Sequence, residues 1–503
     1  MSGSAIRKVV IVGGGSAGWM AAAALAVLVS GSVDEIILVE SSDIGTVGVG
    51  EATLPTLRAF NARLGLDEIE FIRKTQATFK LGIEFQGWNP RRTFFHGFSD
   101  FGPDLNGVSA HQLWLRMRTG EDDRSYADFS ITTAAARLAR FAPPIPNRES
   151  VLGSYSYAFQ FDAGAYAACL RAFAERRGVT RIDGRVVAVR LRPEDGFVEA
   201  LHLEDGRWVS GELFIDCSGF SGLLIGGALE SGFEDWSRWL PCDRAFTVSS
   251  ARSGEPVPFT TSLAQRGGWQ WRIPLQHRTG NGHVFCSHYV GEDEAAETLL
   301  ANLDGTACAS ARLLKFTAGC RREFWKRNCV ALGLASGFLE PLESTSIHLV
   351  ESGIGRLVEL FPARGFEPKL ADEYNRLMRR SYESIRDFII LHYCASGRDG
   401  ELWRYCRNMP IPASLRHQIE LFKARGVVAL YERDAFAESS WIAIYFGLGL
   451  IPQRYDPMAD LIEASVVRRD LERRARLVAG AAQSLPGHAA FIDTYCRAAN
   501  CTR

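Results

Sequence analysis

The sequence predicts an α/β protein: a nucleotide-binding module built on a parallel sheet and carrying an antiparallel sheet, followed by a mainly helical module. Three observations predict it. A β-branched run opens into a glycine-rich turn and an Ala/Leu-rich stretch near the N-terminus. Short runs of alternating apolar and polar residues cluster around position 200. After about residue 355 glycines thin out, and Arg-rich stretches with helical spacing take over.

The first elements form one strand–turn–helix–strand unit. Lys8-Val-Val-Ile-Val12 is compact and β-branched, as a buried parallel strand should be. Gly13-Gly-Gly-Ser-Ala-Gly18 follows, then a helix over 19–29 and a second strand over 36–39 that ends at Glu40. Gly13, Gly15 and Gly18 therefore fill G-x-G-x-x-G, with an acid 22 residues after the last glycine. Gly13 permits the turn, Gly15 lets backbone approach a pyrophosphate, and Gly18 lets helix pack on strand. The amides of Ser16 and Ala17 open the helix, and Glu40 is placed to hold a ribose hydroxyl. The pattern predicts a Rossmann-like dinucleotide site but does not choose between FAD and NAD.

Further along, Phe161-Asp162 opens a helix over Ala163–Glu175. Alternation over 186–191, 197–203 and 207–209 predicts a small antiparallel meander. Leu213-Phe-Ile-Asp216 runs into a glycine turn, and a strand over 329–334 leads into Ala335-Ser-Gly337. Asp216 and Leu334 thus stand at strand ends, where dinucleotide folds bind ligands. Helical spacing over 370–387 and 457–479 marks the C-terminal module. The expected organisation is 1–355 as the nucleotide-binding module, with an embedded substrate-side segment around 85–150, and 356–503 as a helical module covering the substrate.

Composition narrows the function classes. The chain has 503 residues, 47% hydrophobic and 23% charged, with net charge −1. That is an ordinary globular balance with room for about two to four domains, and no nucleic-acid partner is expected. The 11 Cys include no CxxC pair, which predicts free thiols in a reducing cytoplasm. The apolar stretch 21–29 is far shorter than the roughly 18 residues of a membrane span, so no membrane partner is expected either. The 10 His form neither HxH nor HExxH, which disfavours a metal enzyme. The one G-x-S-x-G match, Gly14 to Gly18, lies inside the dinucleotide fingerprint and does not predict a hydrolase.

Three blocks together resemble the flavin-dependent halogenases, the family best known for tryptophan halogenases. The first is the glycine fingerprint continued by Val47-Gly-Val-Gly-Glu-Ala-Thr-Leu-Pro55. The second is Gly268-Trp-Gln-Trp-Arg-Ile-Pro274, matching the family's WxWxIP signature. The third is Phe338-Leu-Glu-Pro-Leu-Glu-Ser-Thr-Ser-Ile-His348, close to its EPLESTG segment. The segment 233–244 is similar to a family stretch as well.

The resemblance implies an FAD-binding module of the flavin monooxygenase type. It also implies a chemistry: reduced FAD (FADH2) from a separate flavin reductase, with O2 and chloride or bromide, yields hypohalous acid, which halogenates an electron-rich, indole-like arene. Gly13, Gly15, Ser16, Ala17, Gly18, Glu40, Ala52, Asp216 and Leu334 would hold the cofactor. Lys80, in Thr78-Phe-Lys-Leu-Gly82, matches the family's catalytic lysine, acting by a hydrogen bond to hypohalous acid or as a covalent haloamine. Glu343 matches the paired glutamate, able to orient the oxidant and accept the ring proton. Thr345 and Ser346, at the start of a helix over 347–361, match the halide-binding pair, with Ser344, Thr345 and Ser346 expected as helix caps. Ser346 replaces the family's frequent glycine, which makes a bromide preference a live alternative. His96 and Phe98, in Phe94-Phe-His-Gly-Phe98, match residues that stack on the substrate, and Ser344 is a further substrate contact. Trp269 and Trp271 alternate about Gln270 and should face one side of a strand. The tryptophan-gripping Tyr-Tyr…Glu…Phe-Trp…Asn block is missing between His417 and Ser440, so free tryptophan is not the expected substrate. A homodimer is left open. An FAD-dependent aromatic hydroxylase and a non-catalytic flavoprotein stand as rival readings.

Overall fold

The computed structural model describes residues 5–44, 50–118, 125–430 and 434–499. The chain forms two compact units, each assembled from three segments. The first unit comprises Met1–Ala77, Phe161–Asp243 and Lys315–Glu383; the second comprises Thr78–Gln160, Arg244–Leu314 and Ser384–Arg503. The crossings thus fall near 77, 160, 243, 314 and 383 rather than at the single expected boundary near 355, and the segment around 85–150 lies inside the second unit. The reason is topological: long-range strand pairing, which periodicity cannot reveal, decides which segments share a core.

The first unit is built on a six-stranded sheet. Its order is Trp325–Lys326, Cys329–Ala331, Leu213–Asp216, Lys8–Val12, Glu35–Glu40, Thr180–Asp183. All neighbours pair parallel except the first two. Val12 is in register with both Val39 and Asp216, and Asp216 with Ala331. The carboxyl ends of four strands therefore lie in one row. Val9, Val10 and Ile11 have no solvent exposure, as a strand covered on both faces requires. Helix Ser16–Leu28 is buried along Gly18–Ala26, and helix Ala163–Glu175 begins at an Asp162 cap that accepts from the Ala165 amide at 2.9 Å. The predicted meander forms as Val186–Leu191, Val198–Leu203 and Trp208–Ser210, with the second in the middle. The strand expected over 329–334 stops at Ala331. Gly333, at φ +62°, turns the chain into a short 3-10 segment, Gly333–Ala335.

The second unit contains a largely antiparallel sheet. Arg244–Ala251, Arg278–Phe285, Gly268–Pro274, Thr260–Gln265, Gly82–Asn89 and Arg92–Gly97 follow one another across it. Thr260–Gln265 and Gly82–Asn89 form its parallel pair. Beyond residue 355 the described residues hold helices and no strand, among them Pro368–Cys394 and Ala464–Ser484. The helix expected over 457–479 is divided: a 3-10 turn, Pro457–Leu461, precedes Ala464–Ser484. Among the described residues no helix is long and apolar enough to cross a membrane.

Candidate active site

The glycine fingerprint does what its spacing predicts. A Cβ on Gly13 would stand 2.2 Å from the Cys217 carbonyl oxygen, and one on Gly18 would stand 1.8 Å from the Gly13 carbonyl oxygen. Both positions are closed to any side chain. A Cβ on Gly15 would meet nothing within 4 Å. The one fingerprint glycine with space above it is the N-cap of helix Ser16–Leu28, whose first-turn amides, those of Ser16, Ala17 and Gly18, have no intrahelical acceptor. An open face beside orphan donors and a positive helix end suits a diphosphate.

The surrounding residues complete this floor. Gly333 abuts Ala17, where a Cβ would come within 2.8 Å of the Ala17 methyl, so the turn bearing Leu334 lies against the fingerprint helix. Ala52, on strand Gly50–Ala52, is buried. Residues 47–49 of the block that begins at Val47 lie outside the described residues. Glu40 is bound by Arg181 (Nε to Oε1, 2.5 Å), with Arg171 at 3.8 Å, so its carboxylate is held at the strand end. Asp216 is fully buried and saturated: it accepts from the amides of Ser218, Leu224 and Ile225 and from the Ser218 hydroxyl, all between 2.5 and 3.0 Å. Its carboxylate anchors its own turn, and the geometry supports a positioning role for it.

Also in the first unit, Pro341–Glu343 forms a 3-10 turn, Ser344 is left-handed at φ +59°, and helix Ser346–Glu359 follows. A non-glycine residue at positive φ costs about 1 kcal/mol or more and persists where the surroundings enforce it. The expected hydroxyl caps are not formed: Thr345 occupies the N-cap with no side-chain cap bond. Its Oγ1 is instead buried without a hydrogen-bond partner. A lone buried hydroxyl beside free helix-start amides is chemistry suited to a small anion. Glu343 has no solvent exposure.

Lys80, His96 and Phe98 belong to the second unit. Lys80 ends strand Thr78–Lys80, opposite Ala158, and has no solvent exposure. Its ammonium lies 5.4 Å from the centre of the Phe98 ring, close enough for cation–π attraction. The bond from the Phe98 amide to the Leu81 carbonyl (2.9 Å) fixes this approach. Gly82 pairs with Gly97, and a Cβ on Gly82 would stand 2.2 Å from the His96 carbonyl oxygen, so only glycine allows the strands so near. His96 is fully buried, with ring centres at 6.0 Å from Phe98, 5.8 Å from Phe388 and 6.1 Å from Phe436. Trp269 and Trp271 are buried with ring centres 5.9 Å apart, on one side of their strand as predicted. A Cβ on Gly282, the register partner of Trp271, would lie 2.0 Å from that indole, so the missing side chain makes its berth.

Sequence reasoning missed a polar cluster in the first unit. Thr56 Oγ1 is 3.1 Å from His348 Nδ1 and also hydrogen-bonds Glu351. Burial pushes Glu351 up to about 8 and pulls His348 down to about 4. His348 stands inside a block quoted above, but no spacing rule announces the burial of Glu351. Phe388, Phe436 and Trp441 were missed as well: Phe388 and Trp441 read as ordinary helical core, and Phe436 stands just before helix Glu438–Leu448 with no motif around it. Among the described residues no His/Cys/Asp/Glu group could hold a metal, and the described cysteines are free; Cys501 lies outside them.

Comparison with known proteins agrees with this geometry. The sequence profile of the family described as tryptophan halogenase matches residues 8–464. Tryptophan 6-halogenase ThaL of Streptomyces albogriseolus is 34% identical over 93% of this chain and 95% of its own. Among solved structures, BrvH, a flavin-dependent halogenase from Brevundimonas sp. BAL3, superposes with a TM-score of 0.94 at 47% identity, covering 97% of this chain and 99% of that one. Xcc4156, a flavin-dependent halogenase from Xanthomonas campestris, gives 0.95 at 46% identity over 98% and 99%. With a fingerprint built for a dinucleotide and a family match over most of its length, the chain belongs to the tryptophan halogenase family and is a flavin-dependent halogenase.

Proposed function

We propose that this protein halogenates a neutral, electron-rich, indole-like arene, using reduced FAD from a separate reductase, O2, and chloride or bromide. The observation that carries the reading is the fully buried Lys80 ammonium against Phe98, whose ring neighbours His96. An ammonium held out of water donates a stronger hydrogen bond than one in solvent. Here it faces a ring suited to stack on an arene.

FAD in its reduced form supplies, with O2, the oxidising power that converts halide to hypohalous acid. Gly15 and the amides of Ser16, Ala17 and Gly18 hold its diphosphate, while Glu40, Ala52, Asp216 and Leu334 shape the rest of the berth. The amides of Thr345 and Ser346 and the Thr345 hydroxyl hold the halide. Lys80 donates a hydrogen bond to the hypohalous oxygen and makes the halogen more electrophilic. The arene carbon attacks halogen, the oxygen leaves as water with a proton from Lys80, and Glu343 accepts the proton lost from the ring carbon. His96 and Phe98 stack on the arene, with Ser344 a polar contact. Trp269 and Trp271 keep the path dry, which limits loss of the electrophile to water.

A neutral substrate fits the aromatic lining of His96, which comes from Phe98, Phe388 and Phe436. It also fits the absence between His417 and Ser440 of the family's Tyr-Tyr…Glu…Phe-Trp…Asn block, which grips an amino acid's charged groups. Free tryptophan is accordingly a poorer substrate, and a cytosolic location suits a reductase-fed reaction. The test is incubation with FAD, a flavin reductase, NADH, air, each halide, and indole or tryptophan, read by mass spectrometry. A halogen isotope pattern on indole is expected. A single added oxygen, or no product with either halide, overturns the reading.

A further inference from the structure

Two buried donors on one helix have no acceptor. Trp441 is 2% exposed and Tyr445 fully buried, yet Trp441 Nε1 and Tyr445 Oη both lack a hydrogen-bond partner. They lie four residues apart on helix Glu438–Leu448, so they share a face, and their ring centres are 5.9 Å apart. Leaving such donors dry costs about 1–3 kcal/mol each, and natural cores avoid it unless something completes the bond.

Their position connects them with the aromatic slot. Trp441 packs edge-on against Phe388 at 4.8 Å, and Phe388 in turn packs against His96 at 5.8 Å and stacks on Phe436 at 3.9 Å. Tyr445 is itself fixed by stacking on Phe422 at 4.0 Å. The two rings are thus fixed side by side, Trp441 one ring removed and Tyr445 two rings removed from the His96 imidazole.

We infer that Trp441 and Tyr445 form a polar subsite that receives a hydrogen-bond acceptor borne by the substrate. This deepens the function proposed above and rests on it. The preferred substrate is then not bare indole but a neutral arene carrying a carbonyl or ether oxygen on a short arm. Both groups at the subsite are neutral donors, and burial holds the Tyr445 phenol above its ordinary range, so it stays protonated. A side chain that brings only an ammonium finds no acceptor there.

The test compares indole-3-acetamide with 3-ethylindole, which have similar ring reactivity but differ in the acceptor. Equilibrium binding to the FAD-loaded protein, without reductant, is measured for wild type, Tyr445→Phe and Trp441→Phe, followed by kcat/KM for both compounds. Wild type is expected to favour the amide by about 5–10-fold, the worth of a buried hydrogen bond, and each variant to erase most of that ratio. Tyr445→Phe keeps the ring on Phe422, so a folded variant is expected; circular dichroism checks it. A wild-type ratio near one, or a preference that survives in both variants, overturns the inference. Binding is read without turnover, so an inactive enzyme would count against halogenation and not against this subsite.

Discussion

Replacing Gly15 and Gly18 separately by alanine divides fold from cofactor binding. At Gly15 the backbone is extended (φ −76°, ψ −173°), which alanine adopts freely, and the new methyl meets no protein atom within 4 Å. Alanine is a poorer N-cap than glycine by a few tenths to about 1 kcal/mol, while the stiffer unfolded chain returns about 0.4–1 kcal/mol. Apoprotein stability should therefore change by less than about 1 kcal/mol. The methyl does occupy the space through which a diphosphate must reach the Ser16–Gly18 amides. Losing two charge-assisted hydrogen bonds at roughly 1.5 kcal/mol each weakens FAD binding by about 100-fold or more. At Gly18 the methyl would sit 1.8 Å from the Gly13 carbonyl oxygen, so the helix must move by more than 1 Å from the strand. Overpacking of that kind costs about 1–3 kcal/mol, or roughly 2–4 °C of Tm for each kcal/mol. Thermal melts of the apoproteins and FAD titration by flavin fluorescence quenching measure the two effects. Tight FAD binding by Gly15→Ala, with a normal melt, would refute the assignment of that open space to the diphosphate.

Lys80→Ala should lower halogenation by about 10²–10⁴-fold while FAD still binds, and retained product would remove the lysine from the mechanism. Glu343→Gln should slow ring halogenation sharply, yet leave hypohalous acid detectable with an external chlorination trap; unchanged turnover with excess reductase would count against it. If the Ser346 side chain narrows the anion site, bromide should outperform chloride in wild type and Ser346→Gly should shrink that advantage; a strict chloride preference in wild type defeats the idea. Glu351 is raised to about 8 in the folded protein against an ordinary value of 4.5, so the native state holds a proton the unfolded chain releases. The group therefore destabilises as pH rises from about 4.5 to 8, with no further change above. Glu351→Gln should be more stable than wild type by about 1–3 kcal/mol at pH 8 and equal to it below about pH 4, by urea unfolding. A difference of the same size at both pH values would show that the carboxyl is not buried as a neutral acid.

Local order was legible wherever one short-range rule governed it. Lys8–Val12, Ala163–Glu175 and Leu213–Asp216 begin and end where apolar runs, a capping aspartate and glycine turns say they should. The meander near 200 followed from alternation alone. The caps at 344–346 did not: hydroxyl residues at a helix start predict capping bonds, but the left-handed Ser344 sets the entry to the helix, and Thr345 keeps its hydroxyl uncommitted. Asp216 was legible as an acid at a strand end, and only its four donors revealed a structural anchor.

The sequence by itself therefore determined the nucleotide fingerprint, the strands and helices around it, and, through three motif blocks, the family. Tertiary structure decided which segments share a unit, that Lys80 and Glu343 are buried, and that Phe388 and Phe436 line His96 from nearly 300 residues and more away in sequence. It alone exposed the missing partners of Trp441 and Tyr445. The physical reason is range. Backbone propensity and side-chain period act over a few neighbours, whereas burial, and with it the cost of an unpaired polar atom, depends on residues that meet only after the chain has closed on itself.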